Sequence, residues 1–257
     1  MTNRFDVDTA LEGADGRWRA EVKPHWFVQR GPNGGLVAAL ATRALVDLAG
    51  PEQSPRSLSL HYLAPPEAGE LEVRAAVERA GRTTTFASIR VLQGGTTVAY
   101  GLGACSAWRE GQPSWDVLER PDVPPPARIA SLDTDGAFPF LANYEMRPLS
   151  APHNGAWMRT AQPRPADPVL LAALTDAWIP AAFAHMDEPN FVPTIDLTIH
   201  WRAAPGVPAG DHPWVLGLFS TRLGAGGTWE EDGELWSEDG TLLVQSRQLA
   251  MMRRRAA

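Results

Sequence analysis

Ser57–Val77 reads SLSLHYLAPPEAGELEVRAAV and Thr194–Phe219 reads TIDLTIHWRAAPGVPAGDHPWVLGLF; the second stretch restates the first. Leu58-Ser59-Leu60-His61-Tyr62 matches Leu197-Thr198-Ile199-His200-Trp201 in chemical type at every place, and both run on into an Ala and then a Pro. A second anchor follows in the same order, where Gly95-Thr96-Thr97-Val98-Ala99 is echoed by Gly240-Thr241-Leu242-Leu243-Val244. Two anchors at nearly constant offset indicate a duplicated unit rather than a chance likeness between strands.

The text around the anchors supplies the rest of that unit. Arg17 to Phe27 alternates loosely and predicts a strand; GPNGG, Gly31 to Gly35, breaks it, and LVAALATRALVDLA beyond predicts a helix with an almost continuous apolar face. Strands are expected at Leu58 to Tyr62, Glu70 to Arg79, Thr84 to Leu92 and Thr96 to Ala107, with Gln93-Gly94-Gly95 as a hairpin turn. From Gly111 the text turns rich in Pro and turn residues, which marks a connection. The order then recurs. Asn143 to Pro148 and Gly155 to Gln162 read as strands, and Asp167 to about Met186 as a long apolar helix. Thr194 to Arg202, Trp214 to Arg222, Thr228 to Ser237 and Thr241 to Met252 read as strands, with Glu238-Asp239-Gly240 as the second hairpin turn. The expected fold is α+β: two tandem copies of a long helix wrapped by an antiparallel sheet, over residues 1–110 and 143–257, joined by a Pro-rich linker at 111–142.

Composition narrows the function classes. At 257 residues and 44% hydrophobic content the chain can bury a core in each half, and disorder is excluded as its general state. A formal charge of -7 argues against nucleic acid as the partner, because phosphate binding needs clustered Lys and Arg. The basic run Arg253-Arg254-Arg255 reads as a solvated tail, and the single Cys105 as a packed hydrophobe. MTNRFDVDTALEGADGRW lacks an apolar signal region, and nowhere do about 18 apolar residues run together. The expectation is a soluble cytoplasmic protein with no membrane span, compatible with a homodimer or a higher homo-oligomer.

With these features set out, the chain resembles the acyl-CoA thioesterase II family and the broader thioesterase-like double hot-dog proteins over nearly its whole length. The resemblance is carried by Asn33-Gly34-Gly35 before the first helix, Thr175-Asp176 in the second, PTIDLTIHWR from Pro193 and DGTLLVQSRQLAMMR from Asp239. It implies hydrolysis of an acyl-CoA or related pantetheine thioester. It also implies that an Asp on the second helix, a Thr opening the next strand and a Gln on the last strand hold the hydrolytic water; here those are Asp176, Thr194 and Gln248. One departure bears on substrate preference more than on the reaction: the family typically reads Gly-Gly-Gln where this chain has Gly34-Gly35-Leu36.

The residues carry part of this on their own. In PVLLAALTDAWIPAAFA, Pro168 to Ala184, Thr175 and Asp176 are the clearly polar side chains. A helix apolar all round is buried, and an Asp on it loses hydration and tends to a raised pKa. Such an Asp is either a catalytic base or a structural group bonded to backbone or a Trp. Ile195, Leu197, Ile199 and Trp201 would share one strand face, leaving Thr194, Asp196, Thr198 and His200 on the other. Thr favours strands in any case. The pair Asp196 and His200 is tempting, but His61 recurs at the matching place, as architecture would. Thr194 falls opposite Pro55 and Gln248 opposite Gly103, so one site per chain is expected, built mainly by the C-terminal half. Alternation points Gln248 inward, either onto a water shared with Asp and Thr or across backbone groups at a sheet edge.

Gly34 and Gly35 precede a helix, so their amides are candidates to face an oxyanion, although Pro32-Asn33-Gly34 also makes sense as a plain turn. Glu230-Glu231-Asp232 lacks calcium-loop spacing and reads as a solvated strand face. No HExxH, CxxC, GxSxG or phosphate loop occurs, so neither a metal nor another cofactor is expected. Two rivals stay open: a non-catalytic acyl-binding protein, and an enoyl-thioester hydratase, which would show a His close to its Asp.

Overall fold

A computed structural model describes residues 3–134, 138–186 and 192–252. The first half contains α1 (Arg4–Asp8), β1 (Glu12–Ala14), β2 (Arg17–Val22), α2 (Gly34–Ala49), β3 (Ser54–Tyr62), β4 (Gly69–Ala80), β5 (Thr84–Gln93) and β6 (Thr96–Ser106). The second contains β7 (Tyr144–Pro148), β8 (Gly155–Thr160), α3 (Pro168–Leu174), β9 (Thr194–Trp201), β10 (Val215–Ser220), β11 (Gly224–Ala225), β12 (Thr228–Ser237) and β13 (Leu242–Met251). The strands form one antiparallel sheet in the order β1-β2-β4-β5-β6-β3-β9-β13-β12-β10-β8-β7, with β11 appended to β12.

The repeated text lies at the middle of this sheet. β3 and β9 pair about Ser59↔Thr198, with Leu58 opposite Ile199 and Leu60 opposite Leu197. These four apolar side chains are buried, while the Ser59 and Thr198 hydroxyls meet at 3.0 Å on the other face. Reading outward from this seam, β6 corresponds to β13, β5 to β12 and β4 to β10. The correspondence reaches single residues. Against β6 the strand slips one residue between Pro55 and Ser57, and against β13 it slips between Thr194 and Asp196.

α2 is capped at its start by Asn33, whose side chain accepts from the Gly35 amide, and ends at Gly50 with φ 78°. It buries Leu36, Leu40 and Leu45 completely against the curved sheet, each contributing about 1.5–3 kcal/mol of apolar burial. The packing is so close that a β-carbon at Gly103 would press into the Leu45 side chain.

Two sequence expectations need correction here. The strand expected over Arg17 to Phe27 stops at Val22, because Pro24 cannot donate to the ladder and opens a short 3₁₀ turn through Trp26. The long helix expected from Asp167 to about Met186 is only α3, capped by the Asp167 side chain on the Leu170 amide. Thr175 closes it by donating its hydroxyl to the Ala172 carbonyl, and Pro180, with no N–H, forbids resumption; a 3₁₀ turn at Ala181–His185 follows. Among the described residues a long helix is therefore present in the first half alone. Arg253-Arg254-Arg255 lies outside the described residues. Among the described residues no helix is long and apolar enough to cross a membrane.

Candidate active site

α3 and the N-terminus of α2 meet end to side. A β-carbon at Gly35 would collide with the Ala173 carbonyl oxygen, so only glycine allows this approach. The contact places Asp176, two residues beyond the end of α3, against the first turn of α2. Its Oδ2 accepts from the Gly35 amide at 3.1 Å and from Asn33 Nδ2 at 3.2 Å, and Asn33 Nδ2 also donates to the Asp176 carbonyl at 2.6 Å. Asn33 thus caps α2 and holds the carboxylate at once.

Asp176 forms part of the wall of a cavity of about 480 Å³, which Gly34, Tyr62, Trp178, Thr194 and Ile195 also line. Burial dominates its electrostatics and lifts its pKa from 3.8 to about 6, against the opposing pull of the Gly35, Gly34, Gln248 and Asn33 donors. A carboxyl group poised there can take a proton from water near neutral pH and return it. The phenol of Tyr62 donates to the Gly34 carbonyl at 2.9 Å, and burial beside Asp176 keeps it protonated.

Thr194 reaches this cavity by an irregularity that alternation did not foretell. In β9 it was expected on the polar face with Asp196, Thr198 and His200. Instead Asp196 pairs with Leu249 and Thr194 with Ala250, leaving Ile195 as the extra residue of a bulge. Thr194 therefore turns to the inner face, where its hydroxyl donates to Gln248 Oε1 at 2.9 Å. Gln248 is inward and buried, as its strand's alternation indicated. Asp196 pairs with His61 and His200 with Ser57 on the outer face of the seam, and both His are exposed.

Two further readings are revised. Gly35 and Gly34 were expected to offer amides to an oxyanion, but the Gly35 amide is engaged by Asn33 Oδ1 and Asp176 Oδ2. Glu231 was expected in solvent but is 5% exposed. Its Oε1 accepts from Gln248 Nε2 at 2.7 Å and its Oε2 from the Ala181 amide at 2.6 Å. Alternation in β12 carried the signal, since Trp229, Glu231, Gly233 and Leu235 share the buried face. Leu36, where the family pattern has Gln, is wholly buried in the first turn of α2 and does not line the cavity.

The model of the acyl-CoA thioesterase C-terminal domain matches residues 108–252, and that of the N-terminal domain matches residues 22–106. The chain belongs to the acyl-CoA thioesterase family. It is similar to an uncharacterized protein of Mycobacterium tuberculosis H37Rv, 26% identical over 91% of this chain and 90% of the relative. Among solved structures it is similar to a hot-dog-fold protein of unknown function from Alicyclobacillus acidocaldarius, at 27% identity, full coverage of both chains and a TM-score of 0.90. A candidate thioesterase II from Thermobifida fusca YX follows at 25% identity, 98% coverage of each chain and a TM-score of 0.83. The thioesterase-family chain is thus similar to hot-dog structures along its whole length.

Proposed function

We propose that the protein hydrolyses an acyl-CoA, or a related pantetheine thioester, to a free acid and a thiol, using a water held by Asp176, Thr194 and Gln248. The observation that carries this reading is the half-buried Asp176 carboxylate, its pKa lifted to about 6, on the wall of a largely apolar cavity, with the Thr194–Gln248 pair beside it. In this mechanism a water oxygen bonds the thioester carbonyl carbon while its proton passes to Asp176. Collapse of the tetrahedral adduct breaks the C–S bond, and the departing thiolate takes the proton back. Base assistance of this kind is worth roughly 10²- to 10⁴-fold. No covalent enzyme intermediate is needed. Gly35 acts by holding Asp176 at the positive end of α2, and Gly34 lies beside it on the cavity wall.

The family match and the matched strand order support an architecture of two hot-dog units, 1–110 and 143–257, joined through 111–142. In that architecture the second unit carries a truncated helix, and its chain turns at the very place where Asp176 is needed.

The test is thiol release from a panel of acyl-CoA chain lengths with EDTA present, with enoyl-CoA hydration followed alongside. Among the described residues no three His, Cys, Asp or Glu side chains group as metal ligands, so hydrolysis should survive the chelator. Thiol release on at least one acyl chain, without hydration, supports the reading. Hydration without thiol release, or binding with neither reaction, would replace it by one of its two rivals.

A further inference from the structure

Glu231 is a buried carboxylate that the mechanism above does not use. Its neighbours give it a specific geometry. One oxygen takes the Ala181 amide and the other takes Gln248 Nε2, while Gln248 Oε1 takes the Thr194 hydroxyl, so a line of hydrogen bonds runs from Glu231 through the amide to Thr194. We infer that Glu231 is a positioning residue: its carboxylate fixes which end of the Gln248 amide faces Thr194, and so makes the Thr194 hydroxyl an acceptor toward the hydrolytic water. The inference rests on the proposed thioester hydrolysis.

Donor and acceptor parity sets the direction of this line of hydrogen bonds. A carboxylate can only accept, so an ionised Glu231 at 2.7 Å requires the NH₂ end of Gln248 on its side. The amide oxygen is then left for Thr194, whose single hydroxyl proton is spent on it. What Thr194 presents to the cavity is lone pairs. A water there gives one hydrogen to Thr194 and the other to Asp176, which leaves its own lone pair for the thioester carbonyl. Flip the amide and each step reverses: Thr194 accepts from Nε2, its proton is free to donate, and the water can be held with its hydrogens misdirected.

The repeat supports the assignment independently. Through the matched registers, Thr194, Gln248 and Glu231 correspond to Pro55, Gly103 and Ala87 in the first half. All three inward positions are polar in one half and small or apolar in the other. Glu231 shares the asymmetry that sets Thr194 and Gln248 apart.

The groups that bear on Glu231 are Asp176 across the site and Glu230 beside it on β12, both raising its pKa, and the Gln248 and Ala181 donors, which lower it. Burial is the largest influence and carries it up to about 7, next to Asp176 at about 6. The active arrangement needs both carboxylates ionised. On the acid side the logarithm of kcat/KM should therefore fall with a limiting slope of two.

The experiment compares wild type, Glu231→Gln, Gln248→Ala, the double variant and Asp176→Asn on the best acyl-CoA of the panel, with pH profiles and melting curves. Glu231→Gln should lose roughly 10- to 100-fold in kcat, as outer partners of reacting groups do, with KM changed less than about two-fold and the acid limb reduced to a slope of one. In the Gln248→Ala background the same change should cost less than about two-fold, because the route through the amide is already gone. Full kcat in Glu231→Gln, an equal loss in both backgrounds, or a wild-type acid limb of slope one would each overturn the inference. The last readout needs no variant to fold. If Asp176→Asn keeps wild-type kcat, the hydrolytic reading itself fails, which is a different result from any of these.

Discussion

At the scale of the residue, Asp176 sets stability and chemistry against each other. Burial lifts its pKa from 3.8 to about 6, so the folded state binds this proton more tightly than the unfolded chain does. Its contribution favours folding most below about pH 4 and is lost as pH rises through about 6. Asn in its place can still accept from the Gly35 amide but has no charge to desolvate. Asp176→Asn should therefore melt close to wild type near pH 4 and several degrees above it near pH 7.5, measured by thermal denaturation at both pH values. An Asp whose role was to satisfy backbone donors would instead leave the variant less stable throughout. Asp176 and Gln248 were legible in the sequence, one as a polar residue in an apolar run and the other by alternation. Glu231 was misread because the charge run Glu230-Glu231-Asp232 was given more weight than the period of two beneath it, which its neighbours Trp229 and Leu235 already declared.

At the scale of the element, two local features aim the site. The bulge at Ile195 turns Thr194 from the outer to the inner face, and no single strand's text reveals it, since a bulge is a property of the pairing. The equivalent slip at Arg56 in the first half shows it to be built into the repeat. The truncated α3 was legible in principle, because Pro180 stands inside the run that was read as one helix. The second feature is the glycine contact between α2 and α3. Gly35→Ala should force Ala173 away, destabilising the fold by about 1–3 kcal/mol in urea unfolding and lowering kcat through displacement of Asp176. An unchanged midpoint with unchanged kcat would show that the contact has slack.

At the scale of the whole molecule, the repeat accounts for both the fold and its asymmetry. One sheet with matched registers gives two similar inner faces. In the first half the long α2 lies directly on the strands, over Gly103; in the second the helix ends at Leu174, and Gln248 is bonded to Thr194 and Glu231. The segment after β6 braces this second half from outside: Trp157 donates to the Pro124 carbonyl at 2.9 Å, and Val123 and Ile129 pack on the cluster of Trp157, Trp214 and Trp236. The matched strand order about β3 and β9 was readable because strand text repeats, whereas the cavity was not, being assembled from loops and element ends far apart in the chain. The central claim is that Asp176 moves the proton of the attacking water. The most direct measurement is steady-state thiol release by wild type and Asp176→Asn on the same acyl-CoA, with melting curves confirming that both are folded. The account predicts a kcat at least about 10²-fold lower in the variant with its fold retained; a folded Asp176→Asn that turns over at the wild-type rate would contradict it.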